Sequence, residues 1–287
     1  SALVLADIAP AALPDGLSAE GVWGDFSSQA AATALIARRP DLIIHLAAIV
    51  SGEAELDFDK GYRVNFDGTR ALLEAIRQSD NYCPRLLFAS TIAVFGAPLT
   101  HPVADTHHLT PLTSYGTQKA MTELLISDYT RRGFLDGAAL RLPTICVRPG
   151  KPNGAASSFF SSIIREPLVG QEAVLPVSTH HRHWFASPRS AAGFFVHGAK
   201  IDLSALGASR GLTLPGLSVT VEEQIEALRK VAGQEAVDLI RSEPDEMIEQ
   251  IVAGWPPGFT ADRGRALGFV ADESFEHIIR EHIADQL

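Results

Sequence analysis

Tyr115 and Lys119 stand four residues apart in the run Thr113-Ser114-Tyr115-Gly116-Thr117-Gln118-Lys119. On a helix, residues at i and i+4 are neighbours, so this spacing puts a phenol and an ammonium on one face. An adjacent cation stabilises phenolate and draws a tyrosine down from its reference pKa of about 10 toward neutral pH, where it works as a general base. A Tyr/Lys pair alone arises by chance on many surface helices, so the elements around it decide its meaning.

Those elements recur in one order. Pro84-Arg85-Leu86-Leu87-Phe88-Ala89-Ser90-Thr91 reads as a buried strand ending in two hydroxyls, just upstream of the Tyr/Lys helix. The carboxyl ends of parallel strands are where open α/β sheets bind ligands. Leu42-Ile43-Ile44-His45-Leu46-Ala47-Ala48 reads as an earlier strand closing on small residues, which let a flat ligand approach the backbone. Asn65-Phe66-Asp67-Gly68-Thr69 leads into a helix periodic in Leu72, Leu73 and Ile76. Ala138-Ala139-Leu140-Arg141-Leu142-Pro143-Thr144 reads as a further strand broken by proline. Strands alternating with helices imply an α/β fold with a doubly wound parallel sheet of Rossmann type.

Together, Asp25-Phe26, His45-Leu46-Ala47-Ala48, Ser90-Thr91-Ile92-Ala93-Val94-Phe95-Gly96, Tyr115-x-x-x-Lys119 and Arg141-Leu142-Pro143-Thr144 resemble the extended short-chain dehydrogenase/reductase family. The resemblance covers essentially the whole chain. The stretches 49–55, 148–153 and 182–189 are similar to a branch that oxidises a four-carbon sugar acid, D-erythronate, with NAD. The resemblance implies a catalytic set of Thr91, Tyr115 and Lys119. It also implies a cofactor site formed by Asp7, Asp25, Phe26, Leu46, Ala47, Ala48, Val50, Asn65 and Pro143 with Tyr115 and Lys119.

Composition agrees with such an enzyme. The 287 residues are 46% hydrophobic and 20% charged, an ordinary globular balance with length for one large domain or a domain plus a smaller lobe. A net charge of −10 argues against a nucleic-acid partner. No apolar run approaches the roughly 18 residues of a membrane span, and no basic leader is visible, so the expected setting is cytoplasmic. Cys83 and Cys146 form neither a disulfide scaffold nor a C-x-x-C pattern. His107-His108 and His180-His181-x-His183 lack carboxylates at ligand spacing and read as solvated loops rather than a metal site, while His45 reads as a packed strand-end residue.

The family pattern breaks at the beginning. A first strand should run into a glycine-rich loop whose backbone N–H groups hold the pyrophosphate. Here Leu3-Val4-Leu5-Ala6-Asp7 is followed by Ile8-Ala9-Pro10-Ala11-Ala12 and matches the family's second strand, which ends in an acid. The expectation is that the native polypeptide extends upstream of Ser1. Asp7 then falls beside the adenosine ribose. It would face a 2′-phosphate with like charge at about 4 Å, costing up to roughly 4 kcal/mol at an effective dielectric of 20. NAD is therefore expected over NADP.

Residues 1–145 read as the dinucleotide lobe, with 187–200 returning to it, and 146–186 with 201–287 as a smaller, mostly helical substrate lobe. Ser187-Pro188 is an N-cap followed by proline at the first helical position. Helices are expected over Val221–Val231, Ala236–Ile240, Met247–Val252, Ala261–Leu267 and Ser274–Ile283. A sugar acid needs a cation for its carboxylate; Arg148 and Arg182 are the candidates, and spacing does not choose between them. Ser51 and Thr144 are candidates for substrate hydroxyls.

In the mechanism this implies, Tyr115 takes the C2 hydroxyl proton as hydride leaves, and Thr91 orients the same oxygen. Lys119 depresses the Tyr115 pKa and holds the nicotinamide ribose. Two alternatives stay open: a nucleotide-sugar epimerase or dehydratase on the same scaffold, and a catalytically silent NAD-binding scaffold. Resemblance suggests a homodimer through helices 65–77 and 114–129.

Overall fold

The computed structural model describes residues 3–11, 16, 18–150 and 156–287. Ser1, Ala2 and Ala12 of the expected first strand and its loop, and residues 151–154 of the turn-rich connection, lie outside them. In chain order the elements are β1 (Leu3–Asp7), β2 (Ala19–Trp23), α1 (Gln29–Ile36), β3 (Leu42–His45), α2 (Ser51–Leu56), α3 (Phe58–Gly61), a π-helical turn (Tyr62–Asp67) and α4 (Gly68–Arg77). Then come β4 (Arg85–Thr91), α5 (Ser114–Arg131), β5 (Asp136–Leu142), β6 (Thr144–Ile145), α6 (Ser158–Leu168), β7 (Ala173–Leu175), β8 (Arg182–Ala186) and α7 (Pro188–Gly198). The rest is β9 (Gly211–Thr213), β10 (Leu217–Thr220), α8 (Val221–Ala232), α9 (Gln234–Val237), β11 (Ile240–Ser242), α10 (Glu246–Ala253), α11 (Asp262–Ala266) and α12 (Phe275–Gln286).

The run Leu86-Leu87-Phe88 carries no polar alternation, the pattern of a strand covered on both faces. It forms the middle of β4, in an all-parallel sheet ordered β3-β4-β5-β9. Side chains alternate across it. Leu86, Phe88 and Ala139 join Leu73 and Ile76 of α4 and Ile126 of α5 on one face. Leu87, Ala138 and Leu140 meet Phe194 and Phe195 of α7 on the other. Each such fully buried side chain contributes about 1.5–3 kcal/mol. Strands β1 and β2 form a separate parallel pair in which Asp7 is opposite Trp23.

Beyond β5 the architecture mixes short strands with helices. Pro143 interrupts the chain between β5 and β6. A three-stranded sheet, β10-β8-β6, and a β11-β7 pair pack against α6, α8 and α12 through Phe160, Ile163, Phe185, Leu228 and Ile279. The expected helix over Ala236–Ile240 is corrected: α9 stops at Val237, and Ile240 begins β11, which pairs in parallel with Ala173–Leu175. That pairing partner lies far away in sequence, outside the reach of local periodicity. The expected start of α7 is found, since Ser187 Oγ accepts from the Ser190 amide with Pro188 in the first turn.

One polar seam crosses this apolar packing. Glu123 of α5 receives Arg141 Nε at 3.0 and 3.1 Å and Nη2 at 2.7 Å, with both residues buried. The Ser90 hydroxyl of β4 donates to the same carboxylate. Leaving one member of such a pair alone in the interior costs about 3–5 kcal/mol. Arg141→Met should lower unfolding free energy by about that amount in a denaturant titration; a loss below about 1 kcal/mol would show that the pair does not hold α5.

Candidate active site

Helix α5 begins at an N-cap, Thr113, whose hydroxyl oxygen accepts from the Gly116 amide at 3.0 Å. Its inward stripe is Tyr115, Lys119 and Glu123, successive i, i+4 positions. Lys119, 2% exposed, donates from Nζ to the Ala89 carbonyl at 2.8 Å, two residues before the end of β4. Gly116 rests on the loop just past that end: a Cβ there would lie 2.2 Å from the Ala93 carbonyl oxygen. Thr91 closes β4, and its hydroxyl oxygen accepts from the Ala93 amide at 3.1 Å. Its own proton therefore remains to be donated. These contacts set Lys119 against β4 near its carboxyl end and press the first turn of α5, which carries Tyr115, onto the loop that follows Thr91.

Charge behaves differently from the sequence expectation. Burial pushes the Tyr115 phenol up to about 12, so the expected depression by Lys119 is corrected. The reason is geometric. The ammonium is 4.5 Å from the centroid of the Phe88 ring and 5.5 Å from that of Tyr115, and its hydrogen bond goes to the Ala89 carbonyl. Burial also pulls Lys119 down to about 7, against the opposing pull of Glu123. His45 is half-buried, bonds Thr69 Oγ1 at 2.8 Å, and is pulled to about 3 by burial and by the charge of Lys119.

The other candidates sort by their partners. Asn65 is buried, and its amide is committed to holding the loop after β3. It accepts from the Ile49 amide at 2.8 Å, and it donates to the Ile49 carbonyl at 3.3 Å and to Gln118 at 2.8 Å. It thereby anchors Ile49, in the segment between β3 and α2 that also carries Leu46, Ala47, Ala48 and Val50. Leu46 is 58% exposed and Ala47 is exposed beside it, a small apolar shelf at the strand end. Asp7 is exposed and accepts from the Ala9 amide at 3.2 Å through one carboxylate oxygen. Asp25, two residues past β2, accepts from the Ser27 amide at 2.9 Å and pairs with Arg63 at 3.2 Å, with Phe26 half-buried next to it. Those contacts hold its carboxyl below the usual range, Ser27 first and Arg63 after it. Ser51 is half-buried in the first turn of α2, and Pro143 is buried between β5 and β6.

The two arginines part company. Arg182 turns outward to Glu223 at 3.2 Å and to the Ser218 carbonyl at 2.8 Å. Strand side chains alternate, so the neighbour His183 faces inward instead, where it meets Thr144 Oγ1 at 2.7 Å. His183 was read as part of a solvated loop; it is 2% exposed within β8. Arg148 is half-buried and has no carboxylate partner among the described residues; burial, then the nearby Arg165, lowers its pKa. Glu123 and His183 were missed as functional side chains. The i, i+4 spacing after Lys119 would have found the first, and alternation along 182–186 the second. Among the described residues no group of three His, Cys, Asp or Glu side chains converges as a metal site, and no helix is long and apolar enough to cross a membrane.

A parallel sheet flanked by helices, with a Tyr/Lys helix packed against the carboxyl end of a central strand, is the arrangement of an extended short-chain dehydrogenase/reductase. Residues 5–187 match the NAD dependent epimerase/dehydratase family, and the chain belongs to it. It is 49% identical to a D-erythronate dehydrogenase of Cupriavidus necator over 99% of this chain and 87% of that one. It is 47% identical to a D-erythronate dehydrogenase of Haemophilus influenzae over 87% of this chain and 79% of that one. A crystal structure from Agrobacterium tumefaciens, described as a nucleoside-diphosphate-sugar epimerase, is 62% identical with a TM-score of 0.95, covering 99% of this chain and 85% of that one.

The raised phenol gives a direct check on the electrostatics. A tyrosine whose folded pKa lies near 12 keeps its proton while an unfolded chain releases it near 10, so this group's stabilising contribution fades as pH rises between those values. The difference in tyrosinate absorbance between wild type and Tyr115→Phe should be nil at pH 10; a difference of one ionising phenol there would contradict the burial.

Proposed function

We propose that this chain oxidises the C2 hydroxyl of a small sugar acid, D-erythronate or a close analogue, with NAD. The observation that carries this reading is a Thr91/Tyr115/Lys119 set in the same chain as a half-buried guanidinium, Arg148, that lacks a carboxylate partner among the described residues. The near-half identity to D-erythronate dehydrogenases over most of the chain supports it.

The residues fit the dinucleotide. Leu46 and Ala47 form the apolar shelf after β3, Val50 precedes α2, Pro143 follows β5, Asp7 ends β1 and Asp25 lies two residues past β2. Asp7 favours NAD over NADP by charge repulsion of up to roughly 4 kcal/mol at close range. NAD, when bound, supplies the hydride acceptor and a positive ring. Tyr115, ionised once positive charge lies against its oxygen, would receive the hydroxyl proton as phenolate, and Thr91 would donate to the same substrate oxygen to fix its orientation. Lys119 holds positive charge beside the phenol and reaches for the ribose. Arg148 takes the carboxylate, while Ser51 and Thr144 serve the remaining oxygens. The dinucleotide lobe comprises 1–145 with 187–200, and the substrate lobe the rest. Both cysteines are unpaired, Cys83 exposed and Cys146 buried, which suits a reducing, cytoplasmic setting.

A second reading, nucleotide-sugar epimerisation, is favoured by the description of the Agrobacterium structure. One assay separates them: NADH absorbance should rise with D-erythronate and NAD, whereas a response only to a nucleotide sugar would transfer the assignment. With the acid, Tyr115→Phe should lower kcat about 10²–10⁴-fold and leave NAD affinity nearly intact. Arg148→Met should raise KM at least about tenfold while Arg182→Met leaves it within about twofold. Equal effects of the two arginine changes would remove Arg148 from the carboxylate.

The molecule pairs as a homodimer through α4 and α5. Helices α2 and α3 pack against α5, and this region exposes Leu56 (92%), Phe58 (57%) and Leu124 (66%). Clustered apolar exposure of this kind marks association surfaces. Sedimentation equilibrium should find a dimer that Leu124→Asp weakens; a wild-type monomer at micromolar concentration would end this proposal.

A further inference from the structure

The structure assigns a role to His183: we propose that it holds the Thr144 hydroxyl as a hydrogen-bond donor aimed at the substrate's carboxylate. This rests on the sugar-acid reading for the identity of the ligand. Thr144 is placed for the task. Leu142 is level with Thr91 in the β4–β5 ladder, Pro143 turns the chain, and Thr144 is the next residue, paired with Phe185 of β8. A half-buried hydroxyl thus stands two residues beyond the level of the catalytic Thr91.

The His183 ring is fixed by its surroundings. It stacks on Phe160 at 5.2 Å and 4° between planes, with Trp255 at 5.1 Å and the edge of Phe185 at 5.2 Å. The titratable side chain against it is His181, 6.4 Å away ring to ring. Burial, with His181 adding to it, holds His183 near 3, so the imidazole is neutral at working pH and one ring nitrogen carries the proton.

Which nitrogen follows from the partners. Nδ1 is buried with no partner among the described residues, while Nε2 is 2.7 Å from Thr144 Oγ1. An orphaned buried N–H is rarer than an unsatisfied acceptor, so the proton belongs on Nε2. Nε2–H then donates to Thr144, whose own O–H is left pointing elsewhere. The contrast with His45 is instructive. There the Thr69 hydroxyl donates to the Asn65 carbonyl at 3.0 Å and is closed off. Thr144 Oγ1 has no second partner among the described residues. A donor with one lone pair already occupied suits an oxygen that can only accept, and a charged acceptor makes the stronger bond. A carboxylate meets both conditions; Arg148 supplies the charge and Thr144 the orientation.

His183 is accordingly a positioning residue, and Phe is the informative substitution because it keeps the ring stack and removes only the nitrogen. His183→Phe should raise KM for D-erythronate about tenfold with kcat within about twofold. In a Thr144→Val background the same change should add nothing, since both remove one interaction. His183→Gln, which restores an N–H at similar reach, should recover most of the affinity. An unchanged KM in His183→Phe, or effects that simply add, would overturn the proposal. A second measurement needs no substrate and no variant. In ¹⁵N-histidine-labelled, NAD-loaded protein, His183 should show the Nε2–H tautomer from pH 5 to 9, and the Nδ1–H tautomer would refute the lock. If the wild type turns over no sugar acid, the substrate reading falls and the tautomer still decides the role of His183.

Discussion

The buried carboxylate of Glu123 sets the catalytic helix. Removing a carboxylate and a guanidinium from water costs several kcal/mol per ion, and that cost is offset only where the geometry is good. Here Arg141 on β5 approaches with two nitrogens and Ser90 on β4 closes the remaining side. Three elements thereby share one ionised group. Helix α5 cannot turn about its axis without stranding a charge, so the stripe it presents to the sheet is fixed. Tyr115 and Lys119 belong to that stripe by helical arithmetic alone. Gly116 adds the axial limit, because it lets the first turn press against the Ala93 carbonyl and no larger residue fits there. Rotation is fixed by an ion pair and approach by a glycine.

Burial that fixes geometry also works against charge. Tyr115 moves up, Lys119 moves down, and His45 and His183 are held neutral, in each case with burial as the leading cause. A strand end lined this way disfavours ionisation of every group in it. The base needed for oxidation is therefore not ready-made in the chain's own electrostatics. Burial keeps the proton on the phenol and weakens the hold of Lys119 on its charge, against the opposing pull of Glu123. Positive charge brought against the phenol oxygen shifts that balance, and the shift is large because the surroundings are poorly screening.

What could be read from the sequence was what local spacing controls. The Tyr115/Lys119 spacing, the apolar strands read over 42–48 and 84–91, which the structure gives as Leu42–His45 and Arg85–Thr91, and the Ser187-Pro188 start all depend on neighbours within a turn or a few residues. Failures came where a distant partner decided. Ile240 pairs with Ala173, and nothing in residues 236–240 announces it. The partners of Asn65, Ile49 and Gln118, are likewise supplied by the fold and not by local spacing. At His183 the solvated-loop reading fails, because it lies inside β8 next to the outward-facing Arg182. In a strand, one residue's offset exchanges solvent for interior, so the charged residue drew attention and its neighbour holds the contact.

An anionic substrate is an unexpected ligand for a chain of net charge −10, and the resolution is local. At physiological ionic strength exposed charges are screened within about 8 Å, so the distant acidic surface hardly reaches a half-buried guanidinium. Around Arg148 the balance is positive. Arg165 donates to the Arg148 carbonyl at 2.8 Å and pairs with Glu166 at 2.6 Å, so among the described residues two guanidinium groups and one carboxylate stand there. The strain is visible in Arg148, whose charged form is disfavoured by burial and by Arg165. A carboxylate placed there relieves both, because it pairs the buried cation and cancels the repulsion between the two. Net charge governs encounter at long range, whereas in the proposed reading the acid is recognised by one cation that the fold has already partly desolvated.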